Sequence, residues 1–333
     1  MAAPYPLEPA LPTDLQVEVT GACNLRCKMC LVSYRPALSK REGALDYEDY
    51  MSLLDALPGL RRLTLQGLGE PLLAPHIFDM VGYAATRGIE VGFNTNAMLL
   101  TRERSDRLVG SGLGWLHVSL DGATARTYEA IRGRGRFHRV LANLRELVAA
   151  RRTARTVTPR IQVNFVAMRM NYRELPALVD LSAEIGADRV WVQNLSHSFD
   201  DTDPSGGYRG IREFAAREAL GPSDEARSVF DRARERAAAH GVEIRLPHLA
   251  DAEPPPDEPG CTWPWDSAYV THDGVVQPCC MVMGSDRVEL GRLPERNFLD
   301  IWHGPEYRAF RRGLISGQPH PVCRGCSLYR RRF

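Results

Sequence analysis

Residues 15–30 read LQVEVTGACNLRCKMC, a β-rich run followed at once by three cysteines, Cys23, Cys27 and Cys30, in a C-x3-C-x2-C spacing. Five more β-rich runs follow, at 63–66, 90–94, 115–120, 160–167 and 189–193. Most pairs are separated by at least 20 residues with helical periodicity, as at 47–56 and at 140–151, where Leu141, Leu144, Leu147 and Val148 share one face. Strand–helix repetition of this kind predicts an α/β fold with a parallel sheet and right-handed crossovers. Six such units suit a partial (β/α)6 TIM-like barrel better than a closed eightfold one, with a doubly wound open sheet as the competing fold. In barrel enzymes the C-terminal ends of the strands carry the chemistry, and the three cysteines sit at such an end.

The rest of the chain narrows the class. It has 333 residues, 44% of them hydrophobic, and 42 Lys+Arg against 41 Asp+Glu. Near-zero net charge argues against a general nucleic-acid binder or a polybasic membrane-surface protein. No stretch approaches the roughly 18 uninterrupted apolar residues of a membrane-spanning helix. Residues 1–12 show neither a basic n-region nor an apolar h-region, so a cytoplasmic protein is expected. Only Lys28 and Lys40 are lysines; the other 40 basic residues are arginines. The eight cysteines fall in three groups: Cys23, Cys27 and Cys30; Cys261, Cys279 and Cys280; Cys323 and Cys326. Tight groups in a long chain of this kind indicate metal or redox chemistry rather than disulfides.

Three thiolates cannot close a four-iron, four-sulfur cluster, which takes a ligand on each iron, so one iron is left open. Zinc would usually take four ligands, and no fourth Cys or His lies close by. The stretch VTGACNLRCKMC resembles the cluster loop of the radical S-adenosylmethionine (SAM) enzymes, with Met29 in the slot that usually carries an aromatic. Later stretches resemble the family in order. Residues 66–71, QGLGEP, are similar to its GGE segment, with Leu68 in place of the first glycine, so Gly69 and Glu70 carry over. Residues 93–96, FNTN, resemble its T-N-G stretch and bring in Asn94 and Asn96; 119–122, SLDG, bring in Ser119 and Asp121. Asn164 and Gln193 lie on the fifth and sixth strands, facing the barrel interior. The resemblance implies that SAM chelates the open iron and that these eight residues bind the cofactor. It also implies cleavage of SAM to a 5′-deoxyadenosyl radical that takes hydrogen from a substrate.

The boundary at 251–260, DAEPPPDEPG, reads as a stiff linker ahead of a cysteine-containing tail. The expected division is a barrel at 11–221, a bridging helix, strand and linker at 222–257, and a tail at 258–333. The tail resembles the shorter, twitch form of the SPASM domain, with one auxiliary [4Fe-4S] cluster on Cys261, Cys279, Cys323 and Cys326; a zinc ribbon is the alternative. Cys280 is left over. It is a small packed residue, a hydrogen-atom donor, or a ligand in place of Cys279.

Single-cluster twitch proteins resemble the SAM-dependent aminocyclitol dehydrogenase of butirosin synthesis. The resemblance therefore implies an oxidoreductase or lyase of natural-product or antibiotic biosynthesis, oxidising or decarboxylating a small polyhydroxylated substrate. Only 22 residues precede Cys23, which favours a small substrate. The alternative is an epimerase or cross-linking enzyme acting on a ribosomal precursor peptide. An external electron donor such as flavodoxin or ferredoxin is implied in either case. The polar, Gly-rich segment 195–221 reads as a long loop able to close over a substrate, with His197, Asp200, Asp201, Tyr208 and Arg209 meeting it.

Overall fold

The computed structural model describes residues 5–35, 43–253 and 258–332, so 254–257 of the expected linker lie outside the described residues. Seven strands, β1 (Asp14–Val17), β2 (Arg62–Leu65), β3 (Glu90–Thr95), β4 (Trp115–Ser119), β5 (Arg160–Val166), β6 (Arg189–Gln193) and β7 (Glu243–Arg245), lie side by side in chain order. Each neighbouring pair is parallel. A doubly wound sheet reverses its strand order at a switch point. This one does not, so it is a partial barrel.

The helices between them are α1 (Leu31–Tyr34), α2 (Tyr47–Asp55), α3 (Ile77–Thr86), α4 (Arg102–Gly110), α5 (Ala125–Arg132), α6 (Phe137–Thr153), α7 (Leu175–Ile185), α8 (Arg209–Glu218) and α9 (Asp224–His240). Local chemistry sets their ends. Ser223 caps α9 by accepting from the Ala226 N–H at 3.1 Å, and Gly241 stops it at φ +66°, where a glycine carries no Cβ penalty.

Side chains alternate across a strand, so each strand has two faces. On one, Leu15, Val17, Leu63, Leu65, Val91, Phe93, Leu116, Val118, Ile161, Val163, Val190 and Val192 are buried. Each such side chain contributes about 1.5–3 kcal/mol. The other face is polar, and the register aligns it. Gln16 stands opposite Thr64 and Thr64 opposite Gly92; Ser119 stands opposite Asn164 and Asn164 opposite Trp191.

The tail extends this same sheet. Strand β8 (Ser267–Val270) pairs in parallel with β1, and β9 (Val275–Gln277) and β10 (Gly291–Arg292) follow antiparallel. A buried carboxylate stitches the seam. Glu18 accepts from the Leu68 N–H at 2.6 Å and from the Tyr269 hydroxyl at 3.0 Å, and its other oxygen lies 2.7 Å from His272 Nδ1. The tail also carries helix α10 (Pro305–Ile315).

The segment 195–221 departs from expectation, because ten of its 27 residues form α8. Ile211, Phe214 and Ala215, at i, i+3 and i+4, are buried. Tyr34 of α1 packs on this helix through Phe214, with ring centroids 6.2 Å apart. Glycines 206 and 207 and the polar flanks hide this short amphipathic stretch.

Candidate active site

The cysteine loop leaves β1 and folds on itself. The Cys30 N–H donates to the Cys27 carbonyl at 3.0 Å, and the Ser33 hydroxyl to the same carbonyl at 2.7 Å. From the opposite side the Lys28 N–H donates to the Ile131 carbonyl at 3.0 Å. Burial pushes the Cys23 thiol up to about 11 and the Cys30 thiol up to about 12, and raises that of Cys27. Burial therefore favours the thiol forms, and a bound cation would favour the thiolates.

Glu70, Asn96 and Asp121 have been drawn into supporting this loop. Gly69 lies against it so closely that a Cβ there would collide with the carbonyl oxygens of Thr20 and Ala22. The Glu70 N–H donates to the Ala22 carbonyl at 2.8 Å. The Glu70 carboxylate accepts from the Thr95 hydroxyl at 2.7 Å, the Asn96 N–H at 2.8 Å and the Leu72 N–H at 3.3 Å. Burial raises its pKa, and these hydrogen bonds oppose that. Asn96 Nδ2 donates to Asn24 Oδ1 at 2.8 Å, inside the cysteine loop. Asp121, fully buried, accepts from the Val166 N–H at 2.8 Å and pairs with Arg132 at 2.5 Å. These three side chains, expected to bind SAM, are hydrogen-bonded to or ion-paired with groups on or beside the cysteine loop.

Arg132 carries no signal in the sequence, yet its Nη1 donates to Cys27 Sγ at 3.6 Å. It is the cation that Asp121 holds against the cysteine loop. Arg132→Met would strand a buried carboxylate, which typically costs about 3–5 kcal/mol. The expected result is a lower denaturation midpoint of the iron-free chain with an unchanged slope. A wild-type midpoint would show that the pair does not support the fold.

Asn94, Ser119, Asn164 and Gln193 remain on the polar interior face. Asn94 stands opposite His117, Ser119 opposite Asn164, and Gln193 opposite Val166. Asn164 Oδ1 accepts from Gln162 Nε2 at 2.6 Å. Asn94 Oδ1 is buried with no hydrogen-bond partner among the described residues. A buried acceptor of this kind suits a bound molecule with donors, such as SAM.

In the tail, Cys261, Cys279, Cys323 and Cys326 line one cavity whose other walls include Met281, Val282, Phe310 and Val322. Cys280 heads the short turn Cys280–Val282 and is not part of that wall. Four thiols on one mostly apolar cavity form a donor set that suits an iron–sulfur cluster.

The loop residues expected to meet a substrate are mostly engaged elsewhere. His197 is buried, its Nδ1 accepting from the Phe199 N–H at 2.8 Å and its Nε2 donating to the Val322 carbonyl at 2.6 Å. Burial pushes its pKa down to about 4, helped by the Arg287 charge. Asp201 binds Arg287, and the Tyr208 hydroxyl donates to Asp286 at 2.7 Å. Asp200 and Arg209 are exposed, and Arg209 pairs with Glu213.

Residues 17–181 match the Radical SAM superfamily, and 261–327 match the iron–sulfur cluster-binding domain called SPASM. The PqqA peptide cyclase of Streptomyces rochei is 30% identical over 325 residues, covering 95% of this chain and 81% of the relative. The chain belongs to the radical SAM superfamily. A radical SAM enzyme of this build uses a SAM-binding [4Fe-4S] cluster, SAM and an auxiliary iron–sulfur cluster. The tungsten-containing aldehyde ferredoxin oxidoreductase cofactor-modifying protein of Pyrococcus furiosus is 26% identical, covering 94% of this chain and 87% of the relative. In fold, this radical SAM enzyme is similar to Streptococcus suis SuiB bound to its precursor peptide SuiA. The TM-score is 0.69 at 17% identity, covering 97% of this chain and 71% of that one. No helix among the described residues is long and apolar enough to cross a membrane.

Proposed function

We propose that this radical SAM enzyme modifies a ribosomally made precursor peptide, with an outcome that releases an electron, such as a cross-link. The observation that carries the reading is the 30% identity to a peptide cyclase across nearly the whole chain. It turns the preference away from the small polyhydroxylated substrate expected from the sequence. That second reading keeps the support of relatives named for acting on something other than a peptide, among them the cofactor-modifying protein and a GTP 3′,8-cyclase.

In this reading Cys23, Cys27 and Cys30 hold the first cluster, and Cys261, Cys279, Cys323 and Cys326 hold the second. When bound, the first cluster and SAM supply hydrogen-atom abstraction. The chain's own part is to bind and orient. Asn94, Ser119, Asn164 and Gln193 line the SAM side of the interior, while Gly69, Glu70, Asn96 and Asp121 keep the cysteine loop in place. The apolar walls of the tail cavity exclude water from the second cluster. An external reductant such as flavodoxin or ferredoxin delivers the electron that starts turnover. Cys280 stands outside the ligand set, available to return hydrogen only if the reaction is an epimerisation.

The test is anaerobic incubation of the reconstituted enzyme, with SAM and a reductant in deuterated water, with the short peptide encoded beside its gene. The expected enzyme holds about eight irons as two four-iron clusters. The expected peptide loses two hydrogen atoms, and one 5′-deoxyadenosine forms per product. Deuterium at a peptide carbon, lost in Cys280→Ala, would make it an epimerase. An unchanged peptide, with turnover instead on a sugar or aminocyclitol, would overturn the peptide reading.

A further inference from the structure

Two charges 86 positions apart in the chain meet beside the tail cavity. Asp201, on the segment after β6, accepts both Arg287 Nη2 hydrogen bonds, at 2.8 and 2.7 Å. Their side chains are only 9% and 5% exposed, so water screens the pair little. Arg287 Nη1 also donates to the Val282 carbonyl, as His197 Nε2 does to that of Val322. Both valines line the cysteine cavity. The guanidinium lies over the Phe199 and Tyr208 rings, at 5.2 and 5.5 Å from their centroids. Arg287 Nε is buried with no partner among the described residues. A guanidinium held this tightly cannot swing out to solvent.

We propose that the Asp201–Arg287 pair is a positioning element that sets the reduction potential of the auxiliary cluster, through one charge from the barrel and one from the tail. The inference rests on Cys261, Cys279, Cys323 and Cys326 being that cluster's ligands. Geometry puts both charges beside the cavity: Arg287 Nη1 reaches the carbonyl of Val282 in the cavity wall, and Asp201 holds the same guanidinium from the barrel side. Reduction adds negative charge to a thiolate-ligated cluster. A nearby cation favours the reduced form, a nearby anion disfavours it, and weak screening strengthens both effects. The pair therefore holds the potential between two extremes. It also makes the barrel segment at 197–201 part of the auxiliary site, so a change in that segment alters how readily the cluster takes an electron.

The test is an anaerobic redox titration of the holoenzyme followed by electron paramagnetic resonance, the auxiliary signal being the one lost in Cys323→Ala. Asp201→Asn should move the auxiliary midpoint to a more positive potential, and Arg287→Gln to a more negative one. Arg287→Lys, which keeps the charge and loses the fork, should stay near wild type, and the double variant Asp201→Asn/Arg287→Gln should fall between the singles. The first cluster's midpoint should not move. A merely structural pair would shift both singles the same way or neither, and either result overturns the inference. If Arg287→Gln loses the tail iron, Asp201→Asn and Arg287→Lys decide by the same signs; loss of iron in all of them makes the role structural and also overturns it. Wild-type enzyme holding only the first cluster's iron would instead fail the ligand assignment.

Discussion

Cys27→Ala should abolish SAM cleavage altogether. In the proposed ligand set one iron of the first cluster is left for SAM, so the loop would have three thiolates for three irons and none to spare. Alanine supplies no donor, and only two cysteines, Cys23 and Cys30, remain on the loop. Cys27 is also the sulfur that Arg132 Nη1 contacts at 3.6 Å, so its loss strips the cluster of its buried cation contact as well. The fold should survive, because Glu70 and Asn96 hold the loop through groups other than this sulfur. The measurement is 5′-deoxyadenosine formation with iron content and circular dichroism. The expected protein is folded, holds only the tail's iron and cleaves no SAM. Cleavage at a measurable fraction of wild type would remove these three cysteines as the ligand set.

Cys323→Ala should fail differently. Its thiol lies in the wall of the tail cavity, and burial raises its pKa. The first cysteine loop lies at the end of β1, while Cys323 lies far along the chain in the short helix Pro321–Arg324. The variant should therefore keep the first cluster and cleave SAM without making product, because the substrate's electron has lost its outlet. The readout is the ratio of 5′-deoxyadenosine to product, expected to rise from near one to a very large value. Equal and complete loss of both, with the fold intact, would put the two cysteine sets in one functional unit.

The cysteine loop stood out in the sequence because its spacing gives three thiols with no fourth ligand close by; the resemblance to radical SAM enzymes implies the cluster and its open iron. The interior residues Asn94, Ser119, Asn164 and Gln193 were legible for a geometric reason. A strand returns to the same face every second residue, so four strand ends place four polar side chains on one wall. Glu70, Asn96 and Asp121 stand in the same motifs, but their side chains turn to the loops. Motif position does not reveal which way a carboxylate points. The helix within 195–221 was hidden because a short amphipathic stretch flanked by glycine resembles a loop until a neighbour such as Tyr34 covers its apolar side.

By itself the sequence disclosed the parallel α/β order, the grouping of the cysteines and, through the family resemblance, the cofactor chemistry. Those features depend on residue type and short spacing, which one segment contains within itself. Only the tertiary structure decided that the tail's first strand joins the barrel sheet at β1, and that Asp121 holds Arg132 to Cys27. It also decided that Asp201 finds Arg287 across 86 positions of chain. An isolated charged side chain in sequence has many possible partners. Its partner is chosen when folding excludes water, because a buried charge left unpaired would be expelled.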